Sequence, residues 1–174
     1  MKHQITTKDF ILRPFKKGDE FSLAKNINDR GIIRNTLIPF YPYKLKNAKD
    51  WVKKNLGENK KKNPKMINFV IDISGEVVGS VGFSRIEERH QALLGYWLAK
   101  KYWNKGIMTK AVKLITKFGF KKLGFKRIYA DVLYFNKSSM RVLEKAGFQL
   151  EGILRKSIKK GNRFIDNYLF AKVK

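Results

Sequence analysis

The chain has 174 residues, 43% of them hydrophobic, enough to bury the core of one domain, and it shows neither an apolar leader after Met1 nor a long uncharged apolar run. It has no cysteine and only two histidines, His3 and His90, which excludes disulfides, thiolate metal sites, cysteinyl intermediates and a histidine-rich zinc centre. Lys and Arg number 39 against 14 Asp and Glu, and the formal charge of +25 repels cations and draws in anions such as nucleic acid, the ribosome, an acidic protein or a phosphorylated cofactor, although it equally suits a solvated lysine coat.

Phe10 to Pro14 reads as a short strand stopped by proline, and Asp19 is the expected cap of a helix from about Glu20 to Asn28. Ile32 to Tyr43 mixes aromatics with Pro39 and Pro42 without periodicity and reads as a shaped loop. Its Phe40, Tyr41 and Tyr43 are candidates for the wall of a groove or for core packing. A helix carrying Trp51, Val52 and Leu56 begins at Asn47 or Lys49, and a lysine-rich loop from Glu58 to Lys65 follows it.

Met66 to Ile73 and Val77 to Ile86 are strands joined by the hairpin signal Ser74-Gly75-Glu76, and Ala92 to Ala99 is a third after the polar turn at Glu88 to Gln91. Ile107, Ala111, Leu114, Ile115 and Phe118 then recur at helical spacing opposite Lys110, Lys113, Lys117 and Lys121. Gly124 ends that helix and Phe125 leads into a strand at Arg127 to Leu133. The same punctuation, Ala146-Gly147-Phe148, ends a helix from about Ser138 and opens a strand at Gln149 to Ile158. Alternation of strand and helix at this spacing predicts parallel pairing with right-handed crossovers, before a last strand from Arg163 to Val173.

The stretch Trp103 to Thr109 lies where a strand has ended and a long helix begins. A helix start offers unpaired N–H groups and the positive end of the dipole, Gly106 gives close access to the backbone, and Lys105 and Thr109 add a charge and a hydroxyl, so a pyrophosphate site is predicted. It is neither a Walker loop, since Phe125 stands where the Gly119/Gly124 spacing would need lysine, nor a dinucleotide fingerprint, since the glycine triplet is missing.

Tyr96-Trp97-Leu98 with Trp103-Asn104-Lys105-Gly106-Ile107-Met108-Thr109-Lys110-Ala111 resembles the acetyl-coenzyme A motif of the GNAT superfamily in its Rim-type form, that of the ribosomal-protein N-terminal acetyltransferases. Asn136-Lys137-Ser138-Ser139 with Val142 to Phe148 is similar to the second signature of that family, and Leu12-Arg13-Pro14 to its opening strand. The likeness spans residues 8–172. It implies one GNAT domain of mixed α+β class, three-layer α/β/α, with a central, mostly antiparallel sheet and a βαβαβ second half. By the same resemblance, Trp103, Asn104, Lys105, Gly106, Ile107, Met108 and Thr109 hold the cofactor pyrophosphate, and the strand edge at Trp97, Leu98 and Ala99 pairs with the pantetheine arm. Asn136 bonds that arm and Ser139 lies near the sulfur. On local chemistry alone, Asn136 is equally a helix cap and Ser139 a first-turn residue.

The expected reaction is direct attack of a neutral amine on the thioester in a ternary complex, with no metal. The Leu98 backbone N–H stabilises the oxyanion and Ser139 gives the proton to the thiolate. Leu93 stands where many relatives carry a glutamate; Glu87, Glu88 or a bound water are the remaining base candidates. An α-amine, with its pKa of about 7.7–8.0, needs a base less than lysine at about 10.4 does. The expected acceptor is therefore a protein N-terminus, acidic or ribosomal, in the cytoplasm and without membrane contact. The alternatives are a small-molecule amine (polyamine, amino acid or antibiotic) and a non-catalytic RNA or ribosome binder. Homodimerisation is a family-level expectation.

Overall fold

The computed structural model describes residues 3–38 and 41–174. Eight strands form one mixed sheet: β1 (Ile5–Thr6), β2 (Ile11–Pro14), β3 (Met66–Ile73), β4 (Glu76–Glu87), β5 (Gln91–Leu98), β6 (Arg127–Leu133), β7 (Gln149–Lys160) and β8 (Arg163–Val173). Their spatial order is β1-β2-β3-β4-β5-β6-β8-β7, and among the described residues only β5 and β6 pair in parallel. Three helices, α1 (Asp19–Ile27), α2 (Arg30–Asn35) and α3 (Leu45–Glu58), precede β3; α4 (Ile107–Lys122) and α5 (Lys137–Lys145) flank β6 in the chain.

Strand alternation divides the core between the two faces of the sheet. On one face Leu12, Phe69, Phe83 and Leu94 pack with Ala111, Val112 and Ile115 of α4 and Leu143 of α5. On the other, Val70, Val77 and Trp97 pack with Leu23, Ile27, Ile32, Ala48 and Val52 of α1 to α3. This is the three-layer α+β arrangement that the resemblance implied. Gly119 carries the helix–sheet approach: a Cβ there would stand 2.9 Å from Phe83 Cζ and 3.0 Å from Ile128 Cδ1. The roughly 1 kcal/mol that glycine costs a helix is offset by that closer packing.

Several expectations are corrected. Ile32 to Tyr43 is not all loop, because the Asp29 carboxylate accepts from the Gly31 and Ile32 amides and starts α2 at Arg30. Pro39 and Phe40 lie outside the described residues. Asp19 does not cap α1; Gly18 does, and the Asp19 carboxylate instead accepts from Arg13 and from the Lys16 amide. The expected parallel pairing holds for β5 with β6 but not for β6 with β7, because β8 inserts between those two, antiparallel to both. Between them a register break at Leu154/Ile158 bends the hairpin.

Candidate active site

The turn before α4 is built from backbone. After β5, Ala99 N–H returns to Val78 O at 2.8 Å, a short 3₁₀ turn follows at Lys100–Tyr102, and Asn104 and Gly106 take left-handed φ angles of 60° and 74°. Among the described residues, the amides from Asn104 to Thr109 donate no hydrogen bond. Gly106 caps α4 without a side-chain acceptor, and the first turn of the helix holds no acidic residue, so nothing neutralises its positive end. Buried Ile107 and Met108 fix the turn from below. Above it, the Trp103 indole N–H donates to Leu98 O at 2.7 Å, tying the turn to the end of β5. This arrangement suits an anion bound by main-chain donors.

A second element adjoins it. Parallel pairing of β5 with β6 stops at Leu93/Tyr129, while β4 stays paired with β5 as far as Leu98. The strands therefore splay, and one edge of β5 is open from Leu94 onward. Since Ala99 N–H bonds Val78, the pairs Val78/Ala99 and Ser80/Trp97 are the hydrogen-bonded ones, and Tyr96 and Leu98 turn their N–H groups away from β4 into the gap. Leu98 thus offers its amide to the gap, whereas the Trp97 and Ala99 amides face β4.

Around this gap lies a cleft of about 990 Å³, at the upper end of the range of ligand pockets. Of the predicted residues it brings together Trp97, Leu98, Trp103, Asn104, Gly106, Ile107, Met108, Thr109, Asn136 and Ser139. Ala99 and Lys105 do not line it; the Lys105 ammonium lies over the Tyr102 ring. Glu88 is exposed in the β4–β5 turn, at the opposite end of β5 from Leu98. Glu87 beside it is bonded to Gln91 and His90, and those bonds hold its pKa below the usual carboxylate value. Neither acid reaches the cleft.

Asn136 does cap α5: its Oδ1 accepts from Ser139 N–H at 3.1 Å, and its Nδ2 donates to Asn35 O at 2.9 Å, at the end of α2. Ser139 Oγ lies 2.7 Å from the Tyr96 hydroxyl. Burial pushes the Tyr96 phenol well above its ordinary pKa, and the Ser139 bond offsets part of that rise. This pair was not foreseen as a unit, although Tyr96 stands within the motif; only the register of β5 against α5 reveals it.

The far wall comes from α2 and α3. The Lys160 ammonium, on the β7–β8 hairpin, donates to the carbonyls of Ile33, Arg34 and Thr36 at 2.7–2.8 Å, closing the end of α2. Desolvation lowers its pKa. Asn35 to Ile38, Asn47, Asp50, Trp51 and Lys54 complete this side. Of the three aromatics considered for a wall, Tyr43 lines the cleft, with its phenol pushed up to about 12 by burial and by Asp50. Tyr41 is exposed under Arg30, and Phe40 lies outside the described residues. Asp131 of β6 also lines the cleft, and its carboxylate accepts from Asn167 Nδ2 at 2.9 Å. Among the described residues no group of His, Asp and Glu is placed to hold a metal, and no helix is long and apolar enough to cross a membrane.

Residues 9–149 match the family described as acetyltransferase (GNAT) domain. The chain is 31% identical over 167 residues to the uncharacterized N-acetyltransferase YnaD of Bacillus subtilis (strain 168), covering 96% of this chain and 95% of that one. It is 32% identical over 87 residues to the spermidine N(1)-acetyltransferase of Escherichia coli (strain K12), covering 49% and 47%. Its structure is similar to that of Mycobacterium smegmatis RimJ in complex with CoA-disulfide, with a TM-score of 0.81 and 26% identity over 94% of this chain and 81% of that one.

Proposed function

Because the chain belongs to the acetyltransferase (GNAT) family and is an acetyl-CoA-dependent N-acetyltransferase, we propose that residues 8–172 act as one catalytic domain whose acceptor is the α-amine of a protein N-terminus, of the ribosomal-protein kind. The observation that carries the acceptor is electrostatic. On a molecule of charge +25, the described residues that line the cleft include two carboxylates, Asp50 and Asp131, against three cations, Lys54, Arg141 and Lys145. A polycation is repelled from such a surface, whereas an acidic polypeptide is steered toward it. The fold shared with RimJ supports the same reading. The spermidine N(1)-acetyltransferase relative favours a polyamine instead, over about half of either chain.

The donor fits the geometry described. In this reading the free amides from Asn104 to Thr109 hold the diphosphate, the open edge of β5 holds the pantetheine arm, and Asn136 stiffens the turn above Ser139. The amine attacks the thioester carbon, and the Leu98 N–H in the gap bonds the oxyanion. The thiolate takes a proton from Ser139, with the Tyr96 hydroxyl behind it.

The test is a thermal-shift titration with acetyl-CoA, followed by thiol-release assays on an acidic peptide beginning with Ser or Ala and on spermidine. Stabilisation by acetyl-CoA with turnover of the peptide is expected. Efficient spermidine turnover without peptide turnover would transfer the assignment to a polyamine.

A further inference from the structure

We infer that Asp131 is the general base of the reaction, the carboxylate that takes the proton from the acceptor's ammonium. The inference rests on the site reading above. The last parallel pair, Leu93/Tyr129, fixes the facing of the two strands, so Gly95 and Asp131, two residues farther along each, lie on the same face of the sheet across the splay. That face is the one on which Trp97 packs against α1 to α3. Gly95 has no side chain, is exposed, and a Cβ built on it would meet nothing within 4 Å. The gap is therefore open at the point where Asp131 stands opposite, two residues before Trp97.

The carboxylate is held from behind. Asn167, only 2% exposed, donates Nδ2 to Asp131 Oδ1 at 2.9 Å, and its own Oδ1 has no hydrogen-bond partner among the described residues. Asn167 thus holds one carboxylate oxygen of Asp131, Oδ1, and does not engage the other. The other ionisable groups lining the cleft are Asp50 and Lys54 on α3, Arg141 and Lys145 on α5, and the phenols of Tyr43, Tyr96 and Tyr102. Asp50, the one other carboxylate among the described lining residues, is exposed on a helix of the far wall rather than on a strand of the splay.

The step balances as follows. The ammonium gives one proton to Asp131, and the freed lone pair forms the C–N bond. The nitrogen of the tetrahedral adduct still carries two protons; the adduct collapses with cleavage of the C–S bond, the sulfur takes the Ser139 hydroxyl proton, and the second proton lost by the nitrogen restores that hydroxyl. Asp131 then returns its proton to water, so that R–NH₃⁺ and acetyl-CoA give the amide, CoA-SH and one proton.

Asp131→Asn is the informative variant because its amide oxygen still accepts from Asn167. With an acidic peptide beginning with Ser as acceptor, kcat/KM is expected to fall by about 10²–10⁴ at pH 6. The deficit should shrink toward pH 9, where an α-amine of pKa about 7.7–8.0 has already lost its proton. The acetyl-CoA Kd should stay unchanged. An equal deficit at every pH, or none, overturns the assignment. A crystal of the CoA complex decides even if neither this peptide nor spermidine is turned over. An amine in attack range of the thioester and bonded to its base requires about 6–7 Å between the sulfur region and the carboxylate. A separation beyond about 10 Å rejects Asp131, whereas failure to bind CoA at all rejects the site reading instead.

Discussion

In the proposed donor site, a single residue, Gly106, sets the shape of the turn. A Cβ there would touch nothing within 4 Å, so its glycine is required by conformation, φ +74°, and not by crowding. Gly106→Ala is expected to weaken acetyl-CoA by the cost of a left-handed alanine, about 1–2 kcal/mol or roughly 5- to 30-fold in Kd. Gly106→Asp adds a carboxylate against the phosphates and should abolish binding. Calorimetric titration reads both, and an unchanged Kd for the aspartate variant would place the diphosphate elsewhere. Gly106, Asn136 and Ser139 were legible in the sequence because each acts within a few residues of its own helix start. Tyr96 with Ser139, and Asp131 with Asn167, were not, since each pair meets only through strand register.

Among the elements, the sequence concealed the two-residue strand β1 and, more consequentially, α2. Six residues long and without periodicity, it exists because Asp29 caps its start and Lys160, a distant residue, satisfies its last carbonyls. The strand order was hidden for a similar reason: the spacing of β6, α5 and β7 is that of a parallel crossover, and nothing local announces that β8 will take the place between them. Lys160→Met tests the tie. Losing charge-assisted bonds from a partly buried ammonium should cost about 1–3 kcal/mol, seen as a lower Tm. The acceptor KM should rise several-fold with the acetyl-CoA Kd unchanged, because the tie shapes Asn35 to Ile38 and not the α4 turn. A variant with altered cofactor affinity and normal acceptor KM would contradict that division.

At the scale of the molecule the charge was plain from composition, and its use is a question of ionic strength. Screening shortens to about 10 Å at 0.1 M salt, so steering by +25 should be strong in dilute buffer and mostly lost at high salt. For an acidic acceptor peptide, kcat/KM is expected to fall by roughly tenfold or more between about 20 and 500 mM NaCl, mainly through association, and a neutral peptide of the same first residues should change little. A flat response for the acidic peptide would mean that the lysines only solvate the surface.

The indole of Trp103 joins two otherwise separate anchorages, since its bond to the Leu98 carbonyl sets the span from the helix mouth to the strand fork. A span pinned at both ends works as a gauge. On the proposed donor reading, thioesters on arms too short to reach from one anchorage to the other are expected to leave their carbonyl outside the fork, so that acyl carriers are sorted by length before any chemistry begins.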